Sequence, residues 1–319
     1  MRDTVLFGDC RDTLKTLHAQ ITTGIAERPQ MCVTSPPYYG LRDYGGKEQQ
    51  IGMEQSPEEY IAEMVKVFSS VRDVLADDGT LWVNIGDTYY NYRSDGNYPK
   101  QTVAKTRQDL PTSTPVRGNK LEGLKSKDLI GIPWMLAFAL RADGWWLRQD
   151  IIWHKPNPMP ESVRDRCTKS HEYIFLLSKS KNYYYDNEAI KEPVKQDWGT
   201  RNRDNGKYHN EGTGLQPHSG LTKSYETKNK RSVWSVTNKP YKGAHFATFP
   251  PDLIEPCILA GSSEGDIILD PFMGSGTTAM VAKKLSRSYI GCELNKEYAS
   301  LQTDRIDSIP TKLPDILWK

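Results

Sequence analysis

The sequence lacks the cysteine pattern of a disulfide framework. Its five cysteines, Cys10, Cys32, Cys167, Cys257 and Cys292, are odd in number and none stands at a CxxC spacing. That argues equally against a structural zinc site and fits a reducing cytoplasm. No apolar stretch is long enough to span a bilayer, and Met1-Arg-Asp-Thr4 is followed by no signal-peptide core, so no membrane partner is expected. A phosphate-binding GK[ST] loop is missing too, since Gly276 is followed by Thr277-Thr278. His171-Glu172 offers half of a zinc-deaminase cue, yet no PCxxC follows, and Cys257 after Pro256 stands alone. A strong net charge is also absent: 42 Lys and Arg stand against 40 Asp and Glu.

That balance hides an uneven distribution. Residues 91–127 carry eight Lys or Arg against three Asp or Glu (+5), and residues 191–232 carry nine against five (+4). The rest of the chain must then sum to −7, which is +2 less 5 less 4. Two basic, polar segments on an acidic body suggest a polyanion-facing surface, with solvated loops as the plain alternative.

Short apolar runs alternate with helical periodicity along the chain. Thr4–Phe7 predicts a strand, with a helix from about Thr13; Met31–Val33 predicts a second strand. Ser56 followed by Pro57 is a helix start, and Ile61, Met64, Val65, Phe68 and Val71 continue at helical spacing to about Leu75. Residues 80–85 read as a strand, 130–142 as a helix, and 145–153 with 173–177 as an antiparallel pair at one sheet edge. Residues 91–127 and 187–232 show no apolar periodicity and read as a long loop and a separable insert. A helix from Phe249, a strand at 266–269 and a strand at 288–293 complete the pattern, which argues for a doubly wound parallel α/β sheet.

Two motifs sit at predicted strand ends. Asp270-Pro-Phe-Met-Gly-Ser-Gly-Thr-Thr278 follows the apolar run 266–269 and leads into Ala279-Met-Val-Ala282, so it reads as strand, Gly-rich turn and helix. Small residues there let backbone N–H groups approach a nucleotide-type ligand closely. Glu293 ends the next strand, where a carboxylate can accept both hydroxyls of a ribose. A dinucleotide fingerprint is a rival, because Gly274-Ser-Gly276-Thr-Thr-Ala279 fits GxGxxA. The chain ends too soon after Glu293 for downstream strands to complete a sheet, so earlier residues must finish it, as in a circular permutation. The second motif, Thr34-Ser-Pro-Pro-Tyr38, lies near the N-terminus.

This pair in this order resembles the β class of DNA amino-methyltransferases. Asp150–Pro160, Glu161–Arg166 and Ser170–Ser178 resemble that family's substrate-side strands and loops, so the likeness covers about two thirds of the chain. The resemblance implies a Rossmann-like sheet in permuted order and S-adenosylmethionine as cofactor. It implies that Asp270 and the backbone of Phe272, Gly274 and Gly276, with Pro271, Ser275 and Thr277 of the same loop, hold the methionine part of that cofactor. Glu293 matches the ribose acid, Phe246 and Thr248 lie in a segment flanking the cofactor carboxylate, and Asp9 matches a position near the adenine.

The same resemblance gives Ser35-Pro36-Pro37-Tyr38 a role. An exocyclic amine is a poor nucleophile because its lone pair is delocalised into the base. The Ser35 hydroxyl and Pro36 carbonyl are then acceptors for its two N–H groups, Pro37 offers no competing N–H, and Tyr38 stacks on the flipped base. Ser rather than Asp at the first position resembles the cytosine-N4 branch, with adenine-N6 as the alternative. A Cys-nucleophile route to C5 methylation would need a Pro-Cys at the base pocket; Cys32 reads as core. Non-catalytic nucleic-acid binding, and methylation of RNA or a protein amide, are the rival classes.

The expected organisation is residues 1–186 as the catalytic part with 91–127 as a DNA-facing loop, 187–232 as a target-recognition insert, and 233–319 as the cofactor-binding part. Expected partners are double-stranded DNA, contacted by His154, Lys155, Arg201 and Arg203, and a cognate restriction endonuclease encoded nearby. The chain is expected as monomer or homodimer in the cytoplasm of a bacterial, archaeal or phage-infected cell. Tyr183-Tyr-Tyr185 and Trp234 are read both as base-stacking residues and as packing at a sheet edge.

Overall fold

A computed structural model describes residues 1–40, 50–90, 121, 123–194, 226–238 and 249–309. Of the expected site residues, Phe246, Thr248, Arg201 and Arg203 lie outside these, as do most of 91–127 and of 187–232.

The elements are β1 (Thr4–Phe7), α1 (Cys10–Thr22), β2 (Met31–Thr34), α2 (Pro57–Val74), β3 (Thr80–Ile85), α3 (Ile132–Ala142), β4 (Trp146–His154) and β5 (His171–Ser178). They continue with β6 (Glu192–Pro193), β7 (Thr227–Lys228), β8 (Val233–Ser235), α4 (Pro251–Gly261), β9 (Ile267–Asp270), α5 (Thr277–Lys284), β10 (Ser288–Glu293) and α6 (Ala299–Asp307). Eight strands form one sheet in the order β1-β10-β9-β2-β3-β5-β4-β8. The expected permutation is visible in that order: β10 inserts between β1 and β9, and β9 pairs in parallel with β2. The C-terminal strands thus complete a sheet begun by the N-terminal ones.

The central strands β2, β3 and β9 are buried on both faces, so side chains alternate between two cores. Cys32, Leu81, Val83, Phe175, Leu177 and Leu269 face the cluster packed by α1, α2 and α3. Met31, Val33, Trp82, Ile174, Leu176 and Ile268 face the cluster packed by α4, α5 and α6. Cys32 is core, as its place in a strand suggests.

Two expectations are corrected. Helix α1 begins at Cys10 rather than Thr13, because the Asp9 side chain caps it by accepting from the Arg11 N–H. β4 and β5 are antiparallel, but β4 is not the edge: β8 pairs in parallel with it through Ile152, Trp153 and His154. Trp234 of β8 is buried, its indole N–H donating to the Arg231 carbonyl, and Tyr185 stacks on Trp82 at 6.3 Å. Trp234 therefore packs rather than offering a free face to a base, whereas Tyr185 stays partly exposed beside Trp82. β6 pairs with β7, joining the two ends of the 187–232 segment. Among the described residues no helix is long and apolar enough to cross a membrane.

Candidate active site

Parallel strands deliver their carboxyl ends to one edge of the sheet, and the strand order decides which ends become neighbours. β9 carries the Gly-rich loop and β2 carries Ser35–Tyr38; since β9 and β2 are paired, the two motifs leave the sheet side by side. β10 ends next to them at Glu293, and β1 ends beyond it, where the Gly8 N–H donates to the Glu293 carbonyl at 2.8 Å.

A buried carboxylate joins the two motifs. Asp270 Oδ1 accepts from the Thr34 hydroxyl at 2.6 Å and the Phe272 N–H at 3.0 Å, and Oδ2 accepts from the Thr278 hydroxyl at 2.6 Å. Its residue is 1% exposed. Burial pushes this carboxyl above its ordinary range, and the three donors oppose that shift. Asp270 is thus an anchor for the loop and for the end of β2, not a wall of an open pocket. The cofactor role that the resemblance gives Asp270 would then include holding the shape of the loop from within.

The loop turns through two left-handed glycines, Gly274 at φ 53° and Gly276 at φ 82°, backbone angles that a side chain strains. Ser275 and Thr277 are buried within it, and Pro271 is buried at its start. α6 secures it from below: Gln302 donates to the Gly274 carbonyl at 2.7 Å and Arg305 donates to the Ser275 hydroxyl at 2.8 Å. Neither residue stood out in the sequence.

Glu293 is 9% exposed, and its oxygens accept from the Gly274 N–H and the Asn295 N–H, both at 2.8 Å. Burial raises its pKa to about 7 despite those two donors. Each carboxylate oxygen has a second lone pair, so the group can still accept from a diol. The Asp9 carboxylate, which caps α1, is also held by the Arg11 guanidinium at 2.5 Å. Burial pushes Asp9 up, but the hydrogen bonds from Arg11 outweigh that and keep it below the usual carboxylate range. Two strand-end acids around a turn of left-handed glycines fit the donor set of an adenosine carrying a cationic sulfonium. Their carboxylates are acceptors for hydroxyl donors, and their negative charge suits a cationic ligand.

At the neighbouring motif, Pro36 is buried and Ser35 and Tyr38 are half-buried. The fully buried Tyr60 of α2 donates to the Pro37 carbonyl at 2.9 Å, which fixes the turn from the helix side. The Tyr38 hydroxyl donates to Glu172 Oε2 at 2.7 Å. Burial raises the Tyr38 phenol well above its ordinary value, and the Glu172 charge adds to this. Asn84 of β3 donates to the same Glu172 oxygen at 3.2 Å. Lys155 forms an ion pair with the other oxygen of Glu172 and lies 4.2 Å over the Trp153 ring. Lys155, expected at the DNA backbone, is engaged here by Glu172 and the Trp153 ring. His154 Nδ1 meets the Ser235 hydroxyl at 3.0 Å, bracing β4 against β8.

Comparison with known proteins agrees with this arrangement. The pattern of the DNA methylase family of N6/N4 methyltransferases matches residues 30–304. The type II methyltransferase M.Cfr9I of Citrobacter freundii is 49% identical over 281 residues, covering 88% of this chain and 82% of that one. The type II methyltransferase M.SmaI of Serratia marcescens is 46% identical over 306 residues, covering 95% and 90%. Among solved structures, the PvuII DNA methyltransferase, described as cytosine-N4-specific, superposes with a TM-score of 0.60 at 17% identity, covering 98% of this chain and 89% of that one. The M1.HpyAVI–SAM complex superposes with a TM-score of 0.52 at 18% identity, covering 95% and 98%.

Proposed function

The chain belongs to the N6/N4 family of DNA methylases, and we propose that it methylates the exocyclic N4 amine of a cytosine flipped out of duplex DNA at a specific sequence. S-adenosylmethionine is the methyl donor. The observation that carries the chemistry is the adjacency of the two motifs on paired strands, tied by the Thr34–Asp270 hydrogen bond. A methyl donor on the loop and an amine at Ser35 are then neighbours by construction, so proximity supplies much of the rate.

When bound, the cofactor supplies an electrophilic methyl group on a sulfonium. Glu293 accepts from the ribose hydroxyls, and the backbone of residues 272–276 lies along the methionine part. Ser35 Oγ and the Pro36 carbonyl accept the two amine N–H groups, which favours a pyramidal nitrogen with its lone pair aimed for in-line attack. Tyr38 offers its ring face to the base, offsetting stacking lost on flipping, about 1–3 kcal/mol. The amine nitrogen gains the methyl carbon and releases one proton, while the electron pair of the broken C–S bond stays on sulfur. A neutral Ser35 in place of a carboxylate supports cytosine as the base. Phe246 and Thr248 are assigned to the flank of the cofactor carboxylate, and Arg201 and Arg203 of the insert to the DNA. A cognate restriction endonuclease is the proposed biological counterpart.

The test is mass spectrometry of nucleosides from plasmid DNA incubated with the protein and labelled S-adenosylmethionine. Labelled N4-methylcytosine is expected. Labelled N6-methyladenine would keep the mechanism and overturn the choice of base; no label in DNA would overturn the assigned reaction.

A further inference from the structure

We infer that Glu172 is a positioning residue of the base site, acting through the phenol of Tyr38. This assignment rests on the reading of Ser35–Tyr38 as the place where the base is held.

A stacking platform works only if its plane is fixed, and a tyrosine ring is free to rotate unless its far edge is tethered. Tyr38 sits on a turn just past β2, with the remaining constraint coming from other strands. Glu172 lies at the second position of β5 and reaches across to accept the Tyr38 hydroxyl at 2.7 Å. Asn84, the penultimate residue of β3, donates to Glu172 and to the Tyr173 carbonyl, and its side-chain oxygen lies 3.3 Å from the Tyr38 hydroxyl. Lys155, just past β4, supplies the counter-charge. Asn84 and Glu172 thus meet the phenol from β3 and β5, Lys155 at the end of β4 braces Glu172, and the Ser35 side chain also hydrogen-bonds the phenol.

The shape is built for it as well. At Gly86 a Cβ would stand 2.7 Å from Tyr38 Cε2 and 3.3 Å from the Glu172 side chain, so the missing side chain is the space the ring edge fills. A carboxylate suits the hub because it only accepts: Tyr38, Asn84 and Lys155 are all donors, and a glutamine there would have one acceptor oxygen and turn an N–H toward one of them.

The test compares Tyr38→Phe, Glu172→Gln and the double variant on plasmid DNA with saturating S-adenosylmethionine. It reads single-turnover methylation rate, KM for DNA, cofactor affinity by calorimetry and Tm. Each single change is expected to slow transfer by about tenfold, the scale of one hydrogen bond to a charged group. The double variant should be no slower than the slower single, with cofactor affinity and KM for DNA kept, because both changes cut the same tether. Multiplying losses of about a hundredfold in the double variant would overturn the assignment. So would a wild-type rate in Tyr38→Phe, which also decides the matter if Glu172→Gln fails to fold. Tyr38→Ala separates the two levels: a wild-type rate there would sink the base-site reading itself, whereas a crippled Tyr38→Ala beside an unaffected Tyr38→Phe would sink only the tether.

Discussion

Glu293 offers the sharpest quantitative check on the cofactor site, because its titration falls inside the working pH range. Burial holds its pKa at about 7 in the ligand-free protein. A carboxylate that accepts both ribose hydroxyls must be ionised, so binding selects the deprotonated form and lowers this pKa in the complex. The sign follows: affinity is full above about pH 7 and is lost as pH falls, by about tenfold for each unit below. At about pH 5.5 roughly one molecule in thirty is ionised, so the apparent Kd should be about thirtyfold weaker than at about pH 8.5. In the ligand-free protein the same raised pKa runs against stability. Between the ordinary glutamate range and about 7 the folded chain holds a proton that the unfolded chain has released, so stability declines as pH rises through that window. Calorimetry of S-adenosylmethionine binding from about pH 5.5 to 8.5 reads the first effect. Glu293→Gln is the control, since it retains the ligand's own titration and removes that of the protein. Wild type and Glu293→Gln sharing one pH slope would refute the reasoning, whatever the loss in affinity.

Ser35→Ala or Tyr38→Ala should cut labelled methyl transfer by about a hundredfold while calorimetry shows cofactor affinity kept. Gly86→Ala should displace the Tyr38 ring, whose Cε2 would lie 2.7 Å from the new methyl group. Slower transfer with an unchanged Tm and cofactor Kd is expected. Gln302→Ala removes the donor to the Gly274 carbonyl and should cost about 1–3 kcal/mol, read as a lower Tm together with weaker cofactor binding. Gly274→Val forces a branched side chain onto a left-handed backbone at φ 53° and should abolish cofactor binding measured by calorimetry, with circular dichroism reporting a retained fold.

How far the sequence reveals this molecule depends on where the information resides. Strands such as Thr80–Ile85 are buried along their length, so mostly apolar runs betray them, and the Ser56-Pro57 start of α2 is chemistry local to the chain. Ser35–Tyr38 and residues 270–278 stand out because small residues and prolines at fixed spacing mark turns at strand ends, and both do leave the ends of paired strands. β8 is not: three residues, two of them exposed, become a strand only through pairing with β4, about eighty positions earlier. Gln302 carries no signal in the sequence, and its burial exists only because α6 packs against the loop. Glu172 and Lys155 stand out in the sequence only as half of a deaminase cue and as an expected DNA contact; their pairing across the β4–β5 connection is set by the fold. Asp9 illustrates a different limit. A carboxylate at a strand end suits a ligand and a helix cap equally, and only the structure shows that the cap and Arg11 already engage it.

The Thr34–Asp270–Thr278 cluster explains why a permuted chain still makes one active centre. The residues it joins are 236 positions apart in the case of Thr34 and Asp270, and no chain connection holds the two motifs together. What holds them is strand pairing below and this buried carboxylate above. A carboxylate without a cationic partner in that position is unfavourable unless donors satisfy it, and the donors come from both motifs and the following helix. Misplacing either motif would leave Asp270 buried with an unmet acceptor, which costs more than the net gain of the bond itself. The same group that penalises a misassembled sheet therefore also fixes the two motifs relative to each other, which on the proposed reading sets methyl donor against acceptor amine. The geometry most important to in-line transfer is in this way fixed by a requirement of folding.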